Sequence, residues 1–343
     1  MTRTAHLPAP APGADHGTTD DPGTAGDRRT GGFRRALRVL AILACLPYVS
    51  LKVAWVAGSE IGIPAGSVLL EHRQLLIVAN SVTVAADALV VVLALLLTRP
   101  WGQRVPAWLL ALPMWAATGL LAPIMTGYPT QLAVALFTGD EQAAAPAEPF
   151  LDSWVFAVVY GGFILQGLSL GTLFVLYARD RWGRLVRGRL GELSARTAGR
   201  GVRATALAAA VLALVPLTLH TMWLSGATEG LSPRQIAERD VDFTVLEAQW
   251  IAFLVVAVAT TLLLVLRRPA TLRTRTVVAL AWIGSGTAGC WGAYMSLVAL
   301  MPDTDPAKRL TGLAQLTYAG EMITGFLLAA CLAAVLRRRS AEA

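Results

Sequence analysis

The chain has 343 residues, of which 55% are hydrophobic and 15% charged, and its formal charge is +7. A soluble domain is nearer a quarter charged, so the composition excludes an ordinary water-soluble fold and points to a lipid bilayer as partner. The positive charge is gathered in alternate loops, which makes it a topology signal and leaves no reason to expect a nucleic-acid partner.

In chain order, residues 1–32 are rich in Pro, Gly, Thr and Asp and nearly free of large apolar side chains. Such a segment cannot bury enough surface to offset its ordering entropy, so a disordered cytoplasmic tail is expected there. Eight apolar runs follow, near 37–57, 75–98, 106–126, 151–178, 204–224, 246–266, 276–300 and 314–336. Each approaches the roughly 20 residues needed to cross about 30 Å of hydrocarbon. Threading them from a cytoplasmic N-terminus puts 23 of the 29 Lys+Arg in residues 1–38, in loops 99–105, 179–203 and 267–275, and in Arg337, Arg338 and Arg339. Cytoplasmic loops carry the Lys/Arg excess, so both termini are expected inside a plasma membrane. The acids gather in the opposite loops, two of which are long. Loop 127–150 contains an apolar stretch over 131–137, too short to span and expected at the membrane interface. Loop 227–245 contains Ser232-Pro233-Arg234-Gln235, the chemistry of an N-cap and the first turn of a short helix.

One pattern occurs twice. Leu51-Lys52-x-x-Trp55-x-x-Gly58-x-x-x-Gly62 and Leu219-His220-x-x-Trp223-x-x-Gly226-x-x-x-Gly230 lie 168 residues apart, each closing a long apolar run. Trp115-x-x-Thr118-Gly119 returns as Trp282-x-x-Ser285-Gly286, and Tyr160-Gly161-Gly162…Gly167 as Tyr318-Ala319-Gly320…Gly325. The order is kept. The expected fold is therefore an all-α polytopic helix bundle of two tandem four-helix repeats, 33–178 and 204–337. An Arg-rich cytoplasmic linker over 179–203 joins them, and 338–343 forms a short tail. Because four is even, the halves share one orientation in the membrane. Small residues spaced for close helix packing stand out at Gly167 and Gly171, and at Gly286, Gly289 and Gly292.

Polar groups within the runs carry the functional information. Asp87 falls near the middle of the second run, where an ionised carboxylate costs about 2.5–3.5 kcal/mol and needs a partner, a cavity or a proton. Glu321 lies in the eighth run and Glu247 at the top of the sixth. Lys52 and Trp55 share a face of the first run, as His220 and Trp223 do of the fifth. Lys52 has two readings, snorkelling to the outer head groups or pairing with Glu321 or Asp87. A lone histidine such as His220 is more often a structural hydrogen-bonding group than a ligand. Trp55 and Trp223 have the positions of interfacial belt residues.

No H-x-x-x-H or E-x-x-H spacing occurs within the runs, so no metal site is expected, and no cofactor. A P-loop and an H-E-x-x-H are likewise absent from the sequence. The three cysteines, Cys45, Cys290 and Cys331, all sit in apolar runs without a C-x-x-C pair, which argues against disulfide chemistry. The L-[H/K]-x-x-W-x-x-G-x-x-x-G helix end resembles that of uncharacterised actinobacterial polytopic membrane proteins, a resemblance that implies the fold and no activity.

The expected role is binding or moving a small solute, ion or lipid through an outward-facing polar pocket between the halves. Lys52, Trp55, Asp87, His220, Trp223, Glu247 and Glu321 are its candidate lining. The alternative is an intramembrane enzyme on an isoprenoid or other lipid, with Asp87 or Glu321 as general acid kept neutral by burial. A third reading is a sensor or assembly partner without chemistry.

Overall fold

The computed structural model describes residues 22–71, 73–138, 151–300, 307 and 309–342. Among these, regular structure is helical, apart from one isolated bridge between Arg189 and Arg273. The long helices are α1 (Pro22–Val56), α2 (Arg73–Thr98), α3 (Ala107–Thr138), α4 (Ser153–Trp182), α5 (Arg200–Leu224), α6 (Val241–Leu266), α7 (Thr274–Ala299) and α8 (Gly312–Glu342). α5 consists of two segments that meet at Ala213. Pro216 has no N–H to offer the carbonyl four residues back, so the helical ladder is interrupted there.

Seven of these helices, all but α7, are long and apolar enough to cross a membrane. α7 is diluted by Gly284, Ser285, Gly286, Thr287, Gly289 and Gly292, every one of them buried. Those residues make α7 the meeting point of three neighbours. Gly284 abuts Ala257 of α6, Gly286 abuts Gly119 of α3, and Gly292 abuts Met322 of α8. Where lipid is as apolar as any side chain, helices associate by close van der Waals contact, and small residues permit it. Gly167 packs on Met125 in the same way, whereas Gly171 faces open space.

α1 packs on α2 and α4, and α5 on α6 and α8. Contact between the first four helices and the last four runs chiefly through α3 against α7. There the two repeated W-x-x-[T/S]-G segments meet each other. Gly119 lies on Gly286, and Trp115 Nε1 donates to Ser285 Oγ at 3.2 Å.

The repeated helix ends also build the same turn. Ser59 N–H donates to Ala54 O at 2.8 Å, and Ala227 N–H to Met222 O at 2.9 Å. Gly58 and Gly226 follow their helices at φ 101° and 112°, a left-handed conformation that side chains resist. Trp55 Nε1 closes the first turn on Ile61 O at 2.7 Å, and Trp223 Nε1 the second on Glu229 O at 2.8 Å. These are equivalent atoms, 168 residues apart.

Several expectations need correction. Of the segment 1–32, residues 1–21 lie outside the described residues, and α1 is described from Pro22. Once a helix is nucleated by its apolar span, adding residues to its end is cheap. The stretch 131–137 is not a separate interfacial segment. α3 runs on through it to Thr138, carrying Pro113, Pro123 and Pro129 inside the helix. Neighbours bond carbonyls near Pro123: Gln249 of α6 donates to Pro123 O at 2.7 Å, and Trp291 of α7 donates to Leu120 O at 3.2 Å. At 1.5 Å per residue the helix is about 48 Å long, more than the hydrocarbon thickness. The rest of that loop, 139–150, lies outside the described residues. α8 likewise continues to Glu342, so 338–342 is helix and not a tail.

The segment 179–203 is more than a linker. Leu190 and Leu193 are buried among α5, α6, α7 and α8, and Leu190 N–H donates to Leu272 O at 2.9 Å. The segment is therefore a folded cap on the arginine-rich end of the second four helices. Ser232 and Gln235 form a reciprocal capping box on the short helix Pro233–Ala237, as their spacing predicts.

Candidate functional site

The buried ionisable groups lie one or two turns below the ends of α1 and α5. A helical side chain leans toward its helix's N-terminus. At the C-terminal end of α1 and of α5, that direction is down into the bundle. On α2, α6 and α8, which start from this same side, it is upward. The groups are thus aimed at one another by backbone geometry alone.

In the first half, Lys52 Nζ lies 2.9 Å from Asp87 Oδ2, with each residue 8% exposed. Snorkelling is thereby ruled out for Lys52, because its lean carries the ammonium toward Asp87 and away from the head groups. The ammonium also sits 5.0 Å from the Tyr48 ring centroid and 5.8 Å from that of Phe163, within the range of cation–π attraction. Tyr48 Oη lies 2.8 Å from Gln166 Oε1 and 3.3 Å from Asp87 Oδ1. One hydroxyl proton cannot serve both. Turning the Gln166 amide over would let its NH2 donate to Tyr48, freeing the hydroxyl to donate to Asp87; the two amide ends are nearly indistinguishable in shape.

In the second half, His220 is 1% exposed and stands between two carboxylates. Its Nδ1 is 2.5 Å from Glu247 Oε2, and its Nε2 is 3.0 Å from Glu321 Oε1. The second contact is close enough for an ion pair but lies off the hydrogen-bonding direction of the ring, so Nε2 makes no hydrogen bond of good geometry. Trp223 meets the imidazole edge-on with centroids 5.1 Å apart, and Tyr318 lies 6.5 Å away.

A proton count separates the two halves. Lys52 and Asp87 together are neutral when both are ionised. In the second half, a proton on each ring nitrogen of His220 would give each carboxylate a positive edge to face. Two protons among His220, Glu247 and Glu321 leave a net charge of −1, whichever groups hold them. Only a third proton, or a cation, neutralises the triad.

The seven candidate residues do not converge on one pocket between the halves, which corrects the sequence expectation. Lys52 and Asp87 bond within the first four helices, and His220, Glu247 and Glu321 within the last four. Each half partners its buried ionisable groups within itself, since an ion left alone in lipid is costly. Trp55 and Trp223 are 7% and 1% exposed and hold turns, so they are not belt residues facing lipid. Asp87 is engaged by Lys52 at 2.9 Å, so it is not the isolated carboxyl that the general-acid alternative calls for. Sequence reading left Tyr48, Gln166 and Tyr318 out of the site. Gln166, one of the few amide side chains in any apolar run, was the available signal. Among the described residues no group of three His, Cys, Asp or Glu has the arrangement of a metal site.

Seven spanning-length apolar helices around buried polar clusters define a multi-pass membrane protein. No family model, curated protein or solved structure matches the chain.

Proposed function

We propose that the chain is an eight-span plasma-membrane protein of two tandem four-helix repeats, both termini inside, that binds or carries a small cation or protons. α7 is counted as the eighth span because it joins the same two ends as its neighbours; its glycines lower its hydropathy without shortening it. The matched turns at Gly58 and Gly226, and the Gly119–Gly286 contact of one motif with its copy, support the duplication. The helix-end pattern resembles that of uncharacterised actinobacterial membrane proteins, which fits this architecture. The arginine-rich end is placed inside by the Lys/Arg excess of cytoplasmic loops, which leaves Lys52 and His220 toward the outer face.

The observation that carries the function is one buried imidazole set between two buried carboxylates in the second half. Sharing two protons, these three groups sum to −1. In a membrane interior such groups mark ion and proton paths. The first half, with its neutral Lys52–Asp87 pair, is the balanced counterpart.

The test is flux in proteoliposomes containing the full chain and an internal pH dye, with a diffusion potential as the driving force and Na+ added in separate runs. Wild-type protein is expected to admit protons or the cation, and Glu321→Gln, which removes one negative charge without changing shape, to abolish the flux. Equal flux in both would refute the reading. An enzymatic role survives in one form only, with a protonated Glu321 or Glu247 beside the imidazole as general acid. It would show as lipid turnover without flux.

A further inference from the structure

We infer that the arginine-rich end carries a binding site for the phosphate of an anionic phospholipid, between the start of the apolar part of α1 and the end of α2. A cleft of about 440 Å³ lies there, lined by Gly31, Arg34, Arg35, Arg38, Thr98 and Arg99. Gly31 has no side chain to fill it, and nothing lies within 4 Å of where its Cβ would be.

Four arginines line this space. Arg34 is engaged by Asp180 of α4, and Arg38 Nη1 donates to Thr98 Oγ1 at 3.3 Å. Those bonds fix two of the arginines at the cleft wall. Arg35 and Arg99 are exposed and have no ion-pair partner among the described residues. Four positive charges against one carboxylate also outweigh the partial negative charge, about half an electron, at the C-terminus of α2. The planar fork of arginine matches phosphate oxygens two at a time.

What makes the ligand a lipid and not free phosphate is the surface leading away from the cleft. Above Arg35 on the same face of α1 come Val39, Leu43 and Leu46, which are 44%, 53% and 52% exposed. Behind Arg99 on α2 come Val92 and Leu89, 45% and 46% exposed. Two apolar stripes thus run into the membrane from one basic cleft, as an anionic head group with acyl chains requires. A zwitterionic head group would bring its own cation to the arginines. The site is independent of the charge-transfer role of the His220 cluster.

The experiment uses the purified full-length protein in detergent, with thermal unfolding followed by tryptophan fluorescence and retained lipid by native mass spectrometry. Phosphatidylglycerol is expected to raise the midpoint and to remain bound, while phosphatidylcholine does neither. Arg35→Gln/Arg99→Gln should bind phosphatidylglycerol roughly thirtyfold more weakly, from the contribution of each basic residue near an anionic surface. Both arginines are exposed, so the variant's midpoint without lipid should match wild type. Equal response to the two lipids, equal binding by the variant, or the same stabilisation from inorganic phosphate would each overturn the proposal.

Discussion

Lys52 Nζ and Asp87 Oδ2 stand 2.9 Å apart between α1 and α2, and each is the other's only ion-pair partner among the described residues. Removing one member leaves the other charged and buried, a loss of about 3–5 kcal/mol, whereas replacing both with apolar residues is close to neutral. Lys52→Met should therefore lower the unfolding midpoint sharply, and Lys52→Met/Asp87→Leu should recover most of it. Thermal unfolding in detergent reads both. A double variant as unstable as the single one would show that the pair is not what balances these charges.

Trp55 and Trp223 are expected to respond alike. Each clamps a left-handed turn through its indole N–H. Phenylalanine keeps the ring but leaves a carbonyl, Ile61 O or Glu229 O, without its donor, at a cost of about 1–3 kcal/mol if it stays buried. Amide exchange at Gly58–Gly62 and Gly226–Gly230 should accelerate in the respective variants and only there. Faster exchange at both turns from one substitution would contradict local clamping.

Gly119→Ala should separate α3 from α7, because the added carbon would collide with the Gly286 backbone. Gly171→Ala is its control. With open space at that position, alanine should be neutral or stabilise the helix by up to about 1 kcal/mol. Comparison of the two midpoints decides; equal losses would mean that close approach is not what the Gly119 position requires.

Ser232→Ala removes one arm of the capping box and should cost about 1 kcal/mol. Hydrogen exchange at the Gln235 amide is the direct readout, since that N–H loses its acceptor. Unchanged protection there would assign the amide another partner.

Much of this architecture is legible in the residues. Apolar run length placed the helices, and a single Ser-Pro-Arg-Gln tetrapeptide placed Pro233–Ala237. Lys52 against Asp87 was one of two pairings open to it. The grouping of His220 with both Glu247 and Glu321 was not legible, because those three residues come from α5, α6 and α8, and only packing decides which of the buried acids each base meets. The stretch 131–137 misled because its short apolar run reads as separate, whereas α3 is continuous through Pro129 to Thr138. The tryptophans misled because an indole at a helix end looks the same in sequence whether it faces lipid or folds over its own turn.

The closure of each charge within its own quartet bears on how the chain is made. Lys52 and Asp87 are only 35 residues apart, and His220 and Glu247 only 27. A ribosome feeding the translocon delivers both members of each couple almost together, so the leading hairpin can partition into lipid already neutral. Biogenesis of the early helices then need not wait for the late ones, with Glu321 the exception that arrives last and sets the final charge of its cluster.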